Sequence, residues 1–340
     1  MKDKQSLASW NLISRIHFFE QYPNTLVVNP PAEAQLPSSI SAWHFYAHAI
    51  FQSRSNSYIG AQPPNVEEQE SILVFLPKEK KLCNYIFEAL QSVSQHGTQL
   101  YIVGSKDSGA KSWAKKQVGN WSAFQKTQSG NHCQVLCAEY LANEPRKDSW
   151  IEKNLSVTDV TLGKTQLSLS FLPGVFSQDK LDLGTKLLLE KLPSSISGDV
   201  LDFGCGSGVI SQFLLSTQSE RQGSINSMHL CDLNAFAIEA SKHTLKRFNA
   251  SCSFYLDDGI PANLPKVDWI ISNPPFHQGK STNYEIATQF ILKAKSHLKA
   301  NGKVLLVFNQ FLPWERLLAE QFKRISVIAQ NKSFKVVTAE

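Results

Sequence analysis

No stretch of this 340-residue chain approaches the roughly 18–20 consecutive apolar residues that a membrane-spanning helix needs. The opening residues, Met1-Lys-Asp-Lys-Gln-Ser6, carry no apolar signal core, so a cytoplasmic protein without a membrane partner is expected. The six cysteines (Cys83, Cys133, Cys137, Cys205, Cys231 and Cys252) include no CxxC pair and no zinc-ribbon spacing, which argues against a structural metal site. His132-Cys133 with Cys137 has the right ligand chemistry but no second pair nearby. All six thiols are read as reduced and structural, acting as small hydrophobes. Charge of one sign is scarce too. The excess is +5, which permits a nucleic-acid partner without requiring one. Hydrophobic residues make up 42% and charged residues 19%, the balance of a chain that buries a core and not of a disordered one. The length suits two domains.

From about residue 198 onward, β-type apolar runs alternate with helical patterns. Strands are expected at 199–203, ending at 231, and at 252–256, 267–272 and 303–308, with two further β-type runs at 325–330 and 333–338. Helices are expected at 209–219, 235–248 and 286–298, the last stopping at Asn301-Gly302. This βαβ rhythm predicts a doubly wound, mostly parallel sheet. Such sheets bind ligands beyond the carboxyl ends of their strands.

The motifs fall at those ends. Asp202-Phe-Gly204-Cys-Gly206-Ser-Gly208 joins the first strand to a helix. Glycine is needed where backbone turns tightly and approaches a cofactor closely, and the spacing is not the GxGxxG of dinucleotide enzymes. Asp232 ends the second strand, where an acidic side chain can accept both ribose hydroxyls; it could instead cap the following helix. Asp257 and Asp258 end the third strand. One of them is placed to accept from an adenine amino group, with Asp258 favoured, and a solvated turn is the alternative. Asn273-Pro274-Pro275-Phe276 ends the fourth strand. A planar amino nitrogen is a poor nucleophile because its lone pair is delocalised. Two acceptors aimed at its hydrogens, the Asn273 side-chain oxygen and the Pro274 carbonyl, would localise that pair toward a methyl group. The prolines stiffen the turn, and Phe276 offers a flat face for a base. A glycine-rich cofactor loop followed by Asn-Pro-Pro-Phe is the pattern of an S-adenosylmethionine-dependent N-methyltransferase. Upstream, the segment Leu172-Pro-Gly-Val-Phe176-Ser177-Gln-Asp179-Lys-Leu-Asp182-Leu-Gly-Thr185 leads into a helix at 186–191. Phe176 and Asp179 are candidates for closing over the methionine end of the cofactor; an entry loop that only caps the helix is the other reading.

These residues resemble the ribosomal RNA small subunit methyltransferase C family. The resemblance rests on the Val-Phe-Ser…Leu-Asp-x-Gly segment, on Asp-Phe-Gly-Cys-Gly-Ser-Gly-Val and on Asn-Pro-Pro-Phe-His277. Phe311-Leu-Pro-Trp314 and Val327-Ile-Ala-Gln330…Phe334-Lys-Val are also similar. The family methylates the exocyclic N2 of one guanine in 16S rRNA. The resemblance therefore implies S-adenosyl-L-methionine as cofactor and 16S rRNA in the small ribosomal subunit as partner; a monomer is expected. Its fold would be α/β, as two tandem Rossmann-like class I methyltransferase folds with the N-terminal one degenerate. The other readings are a large-subunit guanine-N2 methyltransferase, a protein-glutamine N-methyltransferase, and a non-enzymatic RNA-binding assembly protein.

The first half lacks the glycine fingerprint yet echoes the second. Ser71-Ile-Leu-Val-Phe-Leu-Pro77 resembles Trp269-Ile-Ile-Ser-Asn-Pro-Pro275, and each is followed by a helical pattern, a glycine and a strand. We read an internal duplication whose first copy has lost its chemistry. Residues 1–152 would form the degenerate domain, supporting folding and RNA binding, and residues 153–340 the catalytic domain. Asn29-Pro30-Pro31 lacks a following ring and a preceding glycine loop, so it reads as a plain turn. Lys106, Lys111, Lys115, Lys116 and Lys126 lie near Trp113 and Trp121 in sequence. That mixture suits RNA or a solvated face over core tryptophans.

Overall fold

The computed structural model describes residues 4–52, 54–66, 69–147, 149–177, 180–274 and 280–340. The chain divides into two compact units, one ending at Asn154 and the other running Leu155–Glu340.

Short apolar runs punctuated by proline, asparagine and glycine make the strands of the first unit. These are β1 (Thr25–Val28), β2 (Ser41–His44), β3 (Ser57–Ile59), β4 (Ser71–Phe75), β5 (Gln99–Ser105), β6 (Gln125–Gly130) and β7 (Cys133–Glu139). Their order across the sheet is β3-β2-β1-β4-β5-β7-β6. β1 through β5 pair in parallel, and β7 runs antiparallel to β5 and β6. Every residue of β1 and β4 is buried, as expected for central parallel strands covered on both faces. The helix Lys80–Leu90 buries Leu82, Cys83, Ile86, Phe87 and Leu90, a stripe at helical spacing.

The second unit repeats this plan. A hairpin comes first, β8 (Ser156–Leu162) and β9 (Thr165–Phe171), its two-residue turn opening on Gly163 at φ +59°. The sheet strands follow: β10 (Gly198–Phe203), β11 (Ile225–Asp232), β12 (Cys252–Leu256), β13 (Val267–Ser272), β14 (Leu298–Asn309), β15 (Ile325–Gln330) and β16 (Phe334–Ala339). Their order, β12-β11-β10-β13-β14-β16-β15, is that of the first unit position for position. Again a single strand, β16, runs against the rest, antiparallel to both β14 and β15. The expected fold class is therefore observed, with a parallel-dominated α/β sheet in each half of the chain. The hairpin lies on the helices Val209–Ser216 and Ala235–Thr244. Gln212 Nε2 donates to the Ser168 carbonyl at 3.0 Å, and the Ser170 amide donates to Thr244 Oγ1 at 2.8 Å.

The strand order reverses between β10 and β13. This is the switch point at which open α/β sheets form a ligand crevice beyond their carboxyl ends. Ser272 Oγ donates to the Phe203 carbonyl at 2.6 Å, tying the last residues of those two strands together.

One expectation fails here. Asn301-Gly302 does not cap a helix: the helix Lys280–His297 ends earlier and β14 begins at Leu298. Leu298 pairs with Val267, and pairing resumes at Lys303 opposite Trp269, so the intervening residues form a bulge. The bulge places Lys299 Nζ 2.7 Å from both Asp199 Oδ2 and Asp268 Oδ2. A strand edge and two carboxylates outweigh the local cap signal. The helices expected to reach 219 and 248 are shorter as well, stopping at Ser216 and Thr244, with 3₁₀ turns continuing from each.

Candidate active site

The loop after β10 needs left-handed backbone. Gly204, Gly206 and Gly208 stand at φ +69°, +54° and +78°, where a side chain is strained. They are not equivalent. A Cβ on Gly208 would meet Ser241 Cβ at 3.1 Å, so that glycine serves helix packing. Around Gly204 and Gly206 a Cβ would meet nothing within 4 Å; these two border open space at the carboxyl edge. The loop is pinned to the end of β11. The amides of Gly204 and Cys205 both donate to the Cys231 carbonyl at 2.8 and 3.1 Å, and the Gly206 amide donates to Asp232 Oδ2 at 2.9 Å.

Asp202 is wholly buried. Its Oδ2 accepts from the Ser211 amide at 3.1 Å and from Ser211 Oγ at 2.7 Å, clamping the loop to the helix that follows. Its Oδ1 is buried without a partner among the described residues. Burial pushes the Asp202 carboxyl up from 3.8 to about 7, against the pull of the Ser211 bonds. The folded protein thus holds a proton that the unfolded chain releases near pH 3.8. The stability associated with this group is full below that pH and is lost as pH rises through about 7. Asp202→Asn should remove that slope, so its melting temperature should change less than that of the wild-type apoprotein between about pH 5 and about pH 8. Equal slopes in thermal melts would contradict the assignment.

Asp232 faces the same loop. Besides the Gly206 contact, its Oδ1 accepts from the Asn234 amide at 2.9 Å, and burial raises its carboxyl above the usual range. The helix-capping alternative for Asp232 falls, because Asn234 holds that position. The Asn234 side-chain oxygen accepts from the Phe236 amide at 3.0 Å, and its Nδ2 donates to the Gly174 carbonyl at 2.7 Å. Asn234 escaped the sequence reading, although a lone Asn between a strand end and a helical pattern is a cap signal. It ties the 172–177 turn, with Phe176 exposed, to the end of β11. Asp257 lies half-buried at the end of β12, its amide donating to the Asp232 carbonyl at 3.2 Å, and burial raises its carboxyl. Asp258, beside it, is exposed.

Asn273 follows β13 directly. Its Nδ2 donates to Asp182 Oδ2 at 2.9 Å and to Thr185 Oγ1 at 2.8 Å. Asp182 is also the N-cap of the helix Leu183–Glu190, accepting from the Thr185 amide at 2.9 Å. That helix begins three residues before the expected 186. Both hydrogens of the carboxamide are thereby engaged, and its Oδ1 has no hydrogen-bond partner among the described residues. Pro274 is buried next to it. Pro275, Phe276 and Asp179 lie outside the described residues. The structure thus brings Asp202, Gly204, Gly206, Gly208, Asp232, Asp257, Asp258, Asn273 and Pro274 to neighbouring strand ends along one edge.

The first unit carries other residues at the equivalent points. Asn29 follows β1 where Gly204 follows β10, at φ +53°, and its Nδ2 donates to the Phe75 carbonyl at 3.0 Å. Leu76-Pro77 follows β4 where Asn273-Pro274 follows β13. No glycine cradle follows β1, and no carboxamide follows β4. Trp113 and Trp121 are core residues, 3% and 0% exposed, and Trp121 Nε1 donates to the Phe87 carbonyl at 2.8 Å. Of the two readings of the lysine-tryptophan region, base stacking on these rings is therefore excluded. Among the described residues no group of three metal-ligating side chains occurs, and no helix is long and apolar enough to cross a membrane.

The chain matches the family model described as methyltransferase small domain over residues 166–338. It matches that of the methyltransferase small domain N-terminal over residues 16–154. Ribosomal RNA small subunit methyltransferase C of Idiomarina loihiensis is 36% identical over 318 residues, covering 92% of this chain and 92% of that protein. The protein of the same name from Acinetobacter baumannii is 34% identical over 328 residues, covering 92% and 94%. Among solved structures, a T. thermophilus 16S rRNA N2 methyltransferase in complex with AdoMet and guanosine superposes with a TM-score of 0.73. It covers 100% of this chain and 92% of that one at 19% identity, a likeness of fold. With both halves matched in order and a third of all positions identical along nearly the full length of two such relatives, the chain belongs to the ribosomal RNA small subunit methyltransferase C family.

Proposed function

We propose that this protein transfers the methyl group of S-adenosyl-L-methionine to the exocyclic N2 of a guanine in 16S rRNA. The observation that carries the reading is the Asn273 carboxamide. Its two hydrogens are held by Asp182 and Thr185, so its oxygen is left to accept from an amino group at the switch point. The cofactor fits the neighbouring cradle: Gly204 and Gly206 leave open the space that a Cβ would fill, and Asp232 stands beside it as a diol acceptor. Asp202 braces the cradle from below through Ser211. Asp257 or Asp258, at the next strand end, receives the adenine, and Phe176 and Asp179 close the methionine end.

When bound, the cofactor supplies an electrophilic methyl carbon on a positively charged sulfur. The protein's task is to present the nucleophile. Asn273 Oδ1 and the Pro274 carbonyl accept the two N2 hydrogens, so the nitrogen lone pair points out of the base plane toward that carbon. Phe276 stacks on the base, a contact worth about 1–3 kcal/mol in nucleic-acid systems. A guanine inside a helix cannot reach such a site, so it enters unpaired or flipped. Positioning carries much of the rate, and no side chain has to form a covalent bond. Burial pushes the Cys205 and Cys231 thiols at the loop well above their ordinary range, which disfavours their thiolates. The first unit, without these groups, supports folding and contacts RNA; the active form is a cytoplasmic monomer.

Incubation of the full chain with isotopically labelled cofactor and separately with 16S rRNA, small subunits, 23S rRNA and a release-factor protein tests the reading. Label is expected in N2-methylguanine of 16S rRNA. Label confined to 23S rRNA or to a glutamine side chain, or no transfer at all, would overturn it.

A further inference from the structure

Asn273 is a two-faced group. One end of a carboxamide accepts hydrogen bonds and the other donates them, and the two ends have nearly the same shape. If the amide turned over, its NH₂ would meet the incoming amine hydrogens and repel them. Something has to decide which end faces the substrate.

The deciding contacts come from 91 and 88 residues earlier in the chain. Asp182 Oδ2 and Thr185 Oγ1 lie 2.9 and 2.8 Å from the Asn273 amide nitrogen. The Thr185 hydroxyl stands 3.4 Å from the same Asp182 oxygen, toward which its own hydrogen points. Its lone pairs are then turned toward Asn273. A carboxylate offers no donor, so a turned-over amide would set its oxygen against two acceptors. Thr185 is 5% exposed, which keeps water from substituting for its hydroxyl. We infer that Asp182 and Thr185 are positioning residues that fix the polarity of the Asn273 carboxamide, and through it restrict the nucleophile to a hydrogen-bond donor. Guanine offers an amino group and a carbonyl oxygen on neighbouring edges; an acceptor-only face takes the amino group. Donation of both amide hydrogens, one of them to an anion, also polarises the carboxamide and strengthens its oxygen as an acceptor. Because Asp182 caps the helix Leu183–Glu190, the loop after β9 and the catalytic turn after β13 are fixed by one carboxylate.

This inference rests on the proposed function for the identity of the amine, but the test separates the two. Thr185→Val is nearly isosteric and removes only the hydroxyl. Asp182→Ser keeps a good helix cap while shortening the reach to Asn273. Each is made in the full chain with Asn273 present and again with Asn273→Ala. The measurements are kcat on 16S rRNA by labelled methyl transfer and cofactor affinity by calorimetry. With Asn273 present, each variant should lower kcat by about 10- to 100-fold, the loss usual for partners that orient a reacting group, with cofactor affinity unchanged. Thr185→Ser should restore most of the rate. In the Asn273→Ala background neither change should cost anything further. Equal losses in both backgrounds, an unaltered kcat in Thr185→Val, or a fall in cofactor affinity would each overturn the assignment. A wild-type enzyme that methylated a different planar amine would overturn the guanine reading and leave the non-additivity in place.

Discussion

Asn273→Ala is expected to reduce kcat on 16S rRNA by about 10²–10³, the loss typical when one preorganised hydrogen-bonding group is removed from a developing charge. Cofactor affinity should stay nearly intact. The two effects separate because the Gly204 to Gly208 loop is pinned by Cys231 and Asp232, and none of its hydrogen bonds runs through Asn273. Fold should persist as well: Asn273 is half-buried, and its loss leaves Asp182 with the Thr185 amide as a cap partner. Removing the carboxamide leaves the amine with one acceptor of two and its lone pair drawn back into the ring. Single-turnover rates at saturating cofactor, beside calorimetric affinities, give the split. A variant that turned over near the normal rate would make residues 273–276 scaffold and remove the basis of the mechanism.

How much of this was legible beforehand followed from the range over which each feature is encoded. The glycine loop and Asn273-Pro274 were visible because strand, turn and helix succeed one another within a few residues, and the apolar runs at 199–203 and 267–272 are buried central strands with little ambiguity. The duplicated plan was visible from one strand-turn-helix echo, at Ser71 to Pro77. The β8–β9 hairpin was missed although Leu167, Leu169 and Phe171 alternate along β9 beside the Gly163 turn; only in β8, where Val157 and Val160 fall on opposite faces, is the apolar stripe broken. The misplaced cap at Asn301-Gly302 shows the opposite failure, a correct local signal overridden by pairing of Leu298 with Val267. Asp182 and Thr185 were read only as part of a loop expected to meet the cofactor. Their partner lies about ninety residues away, and no local pattern in one sequence encodes such a contact.

Gly206→Val should abolish detectable binding of S-adenosyl-L-methionine while leaving a folded protein. Gly206 sits at φ +54°, a conformation costly for a β-branched residue. Strain of this kind is worth about 1–3 kcal/mol, small against the roughly 5–15 kcal/mol that holds a typical domain folded. A Cβ at this position meets no protein atom within 4 Å beyond its chain neighbours, so the substitution points into the space left for the cofactor and not into the sheet. If the backbone instead relaxes away from left-handed φ, the Gly206 amide leaves Asp232 Oδ2, 2.9 Å away, and the diol acceptor loses the bond that aims it. Either response removes the site. Gly208→Ala is the contrasting variant, since its Cβ would press on Ser241 at 3.1 Å and should lower the melting temperature first. Calorimetric titration and thermal melting of both variants distinguish the two roles. A folded Gly206→Val protein that bound the cofactor with wild-type affinity would place the cofactor elsewhere and detach the glycine loop from the chemistry.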